Sequence, residues 1–240
     1  IGHTEKAFDE ASMAEITARH FKADFNQLIL DESHLALEIR GSALARQVWR
    51  SEAAVLDFSR VDPPTPDWGR PATVGAGETA AVSLLTEGAI RDRLLAILNS
   101  AGERSTIDVA VFYLAHTGVV HALIEAAERG AAVRVMLDPS KDAFGRTKNG
   151  IPNRQAAGKL VRRGRGRIEL RWYDTRGEQF HPKMACVRDP DAYALLLGSA
   201  NFTRRNLDDL NLESNLLVEG GRGDPVDRDL ERGNLTRLQT

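Results

Sequence analysis

Between residues 79 and 173 the chain alternates strand-like apolar runs with helix-spaced ones, and this alternation restricts the fold more than any other feature. Strand patterns occupy 79–85, 107–113, 132–137 and 167–173, and helix patterns occupy 87–99 and 118–129. The helical spacing is carried by Ile90, Leu94, Ile97 and Leu98, and again by Val120, Leu123, Ile124 and Ala127, which puts an apolar stripe on one side of each helix. Strands interleaved with one-sided helices bury both only by stacking in layers. The expected fold class is therefore α/β, a mixed sheet flanked by helices on both faces.

The stretch 61–77 is rich in Pro and Gly and fits neither period, so it reads as a linker. It separates residues 1–60 from a larger part, 78–221, with 222–240 as a C-terminal tail. Within the larger part, 138–153 is a long loop bearing Gly, Pro and basic residues, a profile that favours a functional loop beside a substrate entrance. Arg162, Arg163, Arg165 and Arg167 form a local basic patch, read as a solvated turn before a strand. His116 and His121 read as surface histidines.

Composition narrows the function classes. A chain of 240 residues can bury a substantial core, and its net charge of −2 does not suit a protein that coats nucleic acid. The single cysteine, Cys186, excludes an internal disulfide and sits in an apolar strand as a core residue. Cys and His nowhere adopt zinc spacing, and no apolar run approaches the ~20 residues that cross a bilayer. The chain opens on Ile1 without a secretory signal, which suggests processing or truncation. No compartment is assigned by the sequence; the chain reads as soluble, cytoplasmic or peripheral to a membrane.

Chemistry concentrates at His181-Pro182-Lys183 and at Gly198-Ser199-Ala200-Asn201. Alternate side chains of an extended strand share a face, so His181 and Lys183 point one way and Ser199 and Asn201 likewise point together. An imidazole can attack phosphorus or move a proton, an ammonium supplies positive charge, and hydroxyl and amide donors bind non-bridging oxygens. Such a set requires neither metal nor cofactor. The apolar run before Gly198 (Tyr193, Ala194, Leu195, Leu196, Leu197) places Ser199 and Asn201 where a buried strand surfaces, a usual site in α/β sheets.

This constellation resembles the H-x-K and G-S-x-N signature of the phospholipase D superfamily. The likeness continues through Asn201-Phe202-Thr203-Arg204-Arg205 to Asn211-Leu212-Glu213-Ser214-Asn215. In that family an acid downstream of G-S-x-N hydrogen-bonds a catalytic histidine, and Glu213 stands at the matching position. One departure is that the family's aspartate five positions beyond the lysine is replaced by Arg188, with Asp189 and Asp191 close by. The interval from His181 to Gly198 is also three residues longer than usual, and the surplus reads as a longer hairpin through Arg188-Asp189-Pro190-Asp191-Ala192. That aspartate is structural in the family, so the departure touches a scaffold salt bridge.

An internal echo extends the resemblance. Glu32-Ser33-His34-Leu35-Ala36-Leu37-Glu38 repeats the pattern of Glu213-Ser214-Asn215-Leu216-Leu217-Val218-Glu219. In that register Thr17, Ala18, Arg19 and His20 fall on the G-S-x-N positions, Glu32 on the acid, and His3 on the histidine. Glu5 stands at the lysine position, with Lys6 beside it. The superfamily commonly carries two motifs whose halves form one site, so residues 1–60 are expected to be the remnant of a degenerate first half beside a complete half at 78–221. His3 would then face His181; otherwise a homodimer would bring two copies of His181 together.

The resemblance implies a phosphodiesterase that works through a phosphohistidine intermediate, with Lys183, Ser199 and Asn201 on the phosphate oxygens. A phospholipid substrate, cleaved or transferred as a phosphatidyl group with peripheral membrane contact, is the leading reading. A nuclease of the same superfamily is the alternative, disfavoured by the near-neutral charge. A catalytically inactive phosphate-binding scaffold is a third.

Overall fold

The computed structural model describes residues 42–60, 80–139, 150–175 and 179–233, with two-residue strands at β1 (Gly2–His3), β2 (Ile29–Leu30), β6 (Asp142–Ala143) and β7 (Arg146–Thr147). Contacts divide the chain into two units, Ile1–Gly41 with Arg70–Val74 and Ser42–Gly69 with Gly75–Thr240. In the first unit β1 and β2 pair in parallel, Gly2 opposite Ile29 and His3 opposite Leu30. The side chain of His3, the other positions of the echo (Glu5, Lys6, Thr17 to His20, Glu32 to Glu38) and the linker 61–77 lie outside the described residues.

The second unit contains α1 (Ser42–Phe58), β3 (Ala81–Thr86), α2 (Gly88–Ser100), β4 (Thr106–Val111), α3 (Thr117–Glu128), β5 (Ala132–Leu137), α4 (Asn153–Gly164), β8 (Ile168–Trp172), β9 (Lys183–Arg188), β10 (Ala192–Gly198), α5 (Arg204–Leu207), β11 (Ser214–Gly221) and α6 (Pro225–Gly233). Seven strands form one sheet in the order β3-β11-β10-β9-β4-β5-β8. β4, β5 and β8 run parallel, whereas β9, β10, β11 and β3 follow in antiparallel steps, so the sheet is mixed as expected. β4 lies at the junction, and its continuous run Ile107-Asp108-Val109-Ala110-Val111 is buried on both faces, as a central strand requires.

One face of the sheet presents Ala185, Val187, Leu196 and Leu217 to a core shared with Ile90, Leu94 and Leu98 of α2, Leu123 and Ile124 of α3 and Leu160 of α4. Alternation sends Arg188 and Asp108 to the opposite face. There Arg188 lies 3.4 Å from Asp108 and 3.7 Å from Asp227 of α6, and Arg134 grips Asp108 through two hydrogen bonds of 2.5 and 2.8 Å. The position where the resemblance leads one to expect an aspartate thus carries a base whose partners are carboxylates. Arg188 Nε and Asp227 Oδ1 are buried without a hydrogen bond and face each other across that 3.7 Å gap.

The longer hairpin is present: β9 and β10 pair antiparallel with Arg188 opposite Tyr193, and Asp189 N donates to Ala192 O at 2.8 Å. Two helices are present that the sequence pattern did not single out. Arg162 and Arg163 belong to the last turn of α4, which stops where Arg165 turns left-handed (φ 48°). Its buried stripe Asn153, Ala156, Ala157, Leu160 and Gly164 has helical spacing, but the residues are too small and polar to announce a helix in the sequence. Residues 225–233 of the tail form α6, whose start is capped reciprocally: Asp224 accepts from Asp227 N and Asp227 from Gly223 N, both at 2.8 Å.

All seven strands present one end at a common rim. Register aligns Thr86 with Ser214, Asn215 with Gly198, Met184 with Leu197, Lys183 with Val111, and Leu137 with both Val111 and Trp172. The motif residues sit along that rim.

Candidate active site

His181 lies in a strap that enters β9, and the strap is pinned on both sides of it. Phe180 N donates to Asp138 Oδ2 at 2.8 Å, and Pro182 O accepts from Phe112 N at 2.9 Å. The Phe180 ring stacks on Tyr173 at 4.5 Å and 14°, while the imidazole packs against Phe112 with ring centres 4.7 Å apart. His181 itself is exposed.

Lys183, the first residue of β9, is only 9 % exposed. Its Nζ lies 2.9 and 3.0 Å from the two ring nitrogens of His181, 2.9 Å from the His181 carbonyl and 5.5 Å above the Phe112 ring. A neutral imidazole has one free lone pair, so one ring nitrogen accepts from the ammonium and the other keeps its own proton.

The second motif is held by unusually close backbone contact. A Cβ on Gly198 would stand 2.6 Å from Asn215 Cα and from Ser214 O, so only glycine lets β10 approach β11 there. Beyond it Ser199 N donates to Ser214 O at 3.2 Å and Ala200 N to the Asn215 side chain at 3.2 Å. The Ser199 hydroxyl accepts from Ser214 N at 3.1 Å and donates to Glu213. Asn201 accepts from Tyr113 N at 3.2 Å through its side-chain oxygen, leaving its NH2 group as a donor. Fully buried Phe202 anchors this turn, with its carbonyl accepting from Ala115 N and His116 N at 2.8 Å.

Glu213 receives Asn206 Nδ2 at 2.5 Å and Asn211 Nδ2 at 3.4 Å as well as Ser199. Its hydrogen bonds among the described residues therefore buttress the second motif, and its influence on the first is electrostatic. Burial pushes Lys183 down to about 8, an effect that the charge of Glu213 opposes. Burial likewise holds His181 below the usual imidazole range, helped by the charge of Lys183 and countered by that of Asp138. Near neutral pH the pair is a neutral imidazole beside an ammonium.

His181, Lys183, Ser199, Asn201 and Glu213 thus share one rim, and Phe112 and Tyr113 at the end of β4 touch both motifs. Sequence reasoning passed over Asp138 and Asn153. Asn153 is completely buried, accepting from Leu114 N at 2.8 Å and donating to Phe112 O at 2.7 Å and Asp138 O at 2.8 Å, so it ties the ends of β4 and β5 together. Both residues fell in the stretch expected to adjoin the substrate entrance. His116 is not a plain surface histidine: it caps α3 by accepting from Val119 N at 3.3 Å and pairs with Asp208 at 3.3 Å. His121 meets Arg163 at 3.3 Å on the exposed side of α3.

Among the described residues no group of three or more His, Cys, Asp or Glu could hold a metal ion, and no helix is long and apolar enough to cross a membrane. The model of the family described as cardiolipin synthase, PLD-like domain, matches residues 94–229. No curated protein matches the chain. Among solved structures it is similar to Nuc from Salmonella typhimurium, a phospholipase D family member (23 % identity, TM-score 0.49, covering 63 % of this chain and 90 % of that one). It is similar also to NucT from Helicobacter pylori (18 %, 0.49, 66 % and 94 %) and to phosphatidylserine synthase from Haemophilus influenzae (19 %, 0.47, 69 % and 40 %).

Proposed function

The chain belongs to the phospholipase D superfamily, in the PLD-like domain family of cardiolipin synthase, and from that premise we propose that it cleaves or transfers phosphatidyl groups through a phosphohistidine. The observation that carries this reading is the ammonium of Lys183 held against His181 at a solvent-facing rim. A largely buried cation gains by meeting an anion, and a phosphodiester oxygen meets that need without a proton transfer.

In the first step one imidazole nitrogen attacks phosphorus, a P–N bond forms and the P–O bond to the leaving alcohol breaks. A second imidazole gives that oxygen its proton, then takes one from the incoming water or alcohol as the P–N bond breaks. His181 is one of the two histidines; His3, or His181 of a second copy, supplies the other. Dividing one displacement into two is the contribution of covalent catalysis. Lys183, the NH2 group of Asn201 and, on exchanging Glu213 for the ligand, the Ser199 hydroxyl hold the non-bridging oxygens.

What favours a phospholipid is that several exposed apolar side chains share this end of the sheet with the motif residues. Leu210 (59 % exposed), Leu212 (72 %), Ile151 (57 %) and Trp172 (42 %) are four of the six exposed large hydrophobic side chains among the described residues, and all four lie at this end of the sheet. Apolar side chains exposed along the same end of the sheet suit contact with acyl chains. The basic patch near Arg163 lies at the opposite end, where β8 begins beside Val133, and so is out of reach of the site.

Mass spectrometry after brief exposure to phosphatidylglycerol vesicles or to single-stranded DNA tests the reading. A mass increase on His181 from the lipid alone is expected. A nucleotidyl adduct in its place refutes the lipid assignment, and no adduct with either substrate refutes the covalent mechanism.

A further inference from the structure

We propose that Asp138 is a positioning residue for His181: its carboxylate fixes the strap that carries the imidazole and supplies the negative charge that balances Lys183 across the ring. The proposal builds on the phosphodiesterase reading only in treating His181 as the reacting group.

Asp138 directly follows β5 and is 2 % exposed, a costly location for a carboxylate without a purpose. Oδ2 accepts from Phe180 N at 2.8 Å, one residue ahead of His181. Its backbone is equally constrained, because Asn153 donates to the Asp138 carbonyl and to the Phe112 carbonyl from one amide group. Phe112 in turn holds Pro182, one residue beyond His181, and supports the imidazole with its ring. The strap is therefore clamped immediately before and after His181, and both clamps trace back to the buried amide of Asn153.

Among the described residues, two charges act on His181. β9 contributes Lys183, the end of β5 contributes Asp138, and the end of β4 contributes the uncharged Phe112. Glu213, at the start of β11, acts on Lys183. Asp138 raises the proton affinity of His181 and Lys183 lowers it, so removing the carboxylate leaves the cation unopposed. Protonation of His181 then becomes harder.

Two variants of the full chain separate position from charge. Asp138→Asn removes the charge but keeps an oxygen that can accept from Phe180 N; Asp138→Ala removes both. The His181 ring is titrated by NMR in each protein, and kcat/KM for phosphatidylglycerol in vesicles is followed against pH. In Asp138→Asn the His181 midpoint and the matching limb of the profile move to lower pH, while plateau kcat stays within about threefold. In Asp138→Ala kcat falls about 100-fold, the scale of a misplaced reacting group. An unmoved His181 midpoint in Asp138→Asn, or full kcat in Asp138→Ala, overturns the proposal. The NMR titration needs no turnover, so a chain that cleaves no phosphodiester defeats the functional reading while Asp138 is still decided.

Discussion

Replacing Lys183 by methionine should abolish turnover and yet make the protein more stable. In the native state Lys183 titrates near 8 against an ordinary value of 10.5, and burial is the cause. At 1.36 kcal/mol per unit that gap corresponds to about 3 kcal/mol if the ammonium were wholly dry. The head group still adjoins exposed His181, and partial solvation reduces the figure by about half. Losing the contact over Phe112 removes about 0.5 kcal/mol more, leaving a net gain of ~1 kcal/mol for methionine. For a unit of this size that raises Tm by about 2–4 °C. The sign also fixes the pH dependence. Below about 8 lysine is charged in both states and its burial cost is fully present; as pH rises through the native value of about 8 toward 10.5, only the unfolded state keeps the proton and the cost vanishes. Thermal unfolding of both proteins between pH 6 and 10.5 should show the advantage of Lys183→Met fading over that window. A variant less stable than the parent at pH 7, or one whose advantage is independent of pH, would refute the reasoning.

Asn201→Ala should retain the fold and lose about 100-fold in kcat, the usual effect of removing one preorganised donor, and steady-state kinetics with unchanged circular dichroism would show it. Gly198→Ala forces a methyl onto the backbone of Ser214 and Asn215, which cannot yield as a flexible side chain would, and should cost about 3 kcal/mol in urea unfolding; a loss below about 1 kcal/mol would contradict the close approach. Arg188→Met leaves Asp108 and Asp227 buried with fewer partners and should destabilise by ~3 kcal/mol, partly restored when Asp227→Leu is added; additive losses in that double-mutant cycle would deny the pair.

The layers were legible because period is a local property: Ile90, Leu94, Ile97 and Leu98 declare a helix whatever they pack against. The candidate site was legible only in outline: its motif residues cluster where β9 begins and β10 ends, but His181 precedes β9 and Ser199 and Asn201 follow β10, so local turns rather than strand alternation set their directions. Helix α4 escaped because Ala156, Ala157 and Gly164 form a stripe of small residues, enough to pack over Ile168 but too faint to stand out among arginines. Asp138 and Asn153 escaped for a deeper reason. Their partners Phe180, Phe112 and Leu114 are about 40 residues distant in sequence, and only the meeting of three strand ends gives these two side chains their tasks. The sign of the ion pair at Arg188 was hidden in the same way, because Asp108 and Asp227 bracket it from far along the chain.

The carboxylates around Arg188 also bear on when the sheet can close at least cost. Asp227 follows the arginine it faces by about 40 residues, so a sheet that closed without α6 would bury the guanidinium with only Asp108 of these two carboxylates beside it, whereas one that waits for α6 gains both. Waiting avoids the larger desolvation cost. Closure of the central strands and docking of α6 are thereby coupled energetically, and neither reaches its full stability without the other.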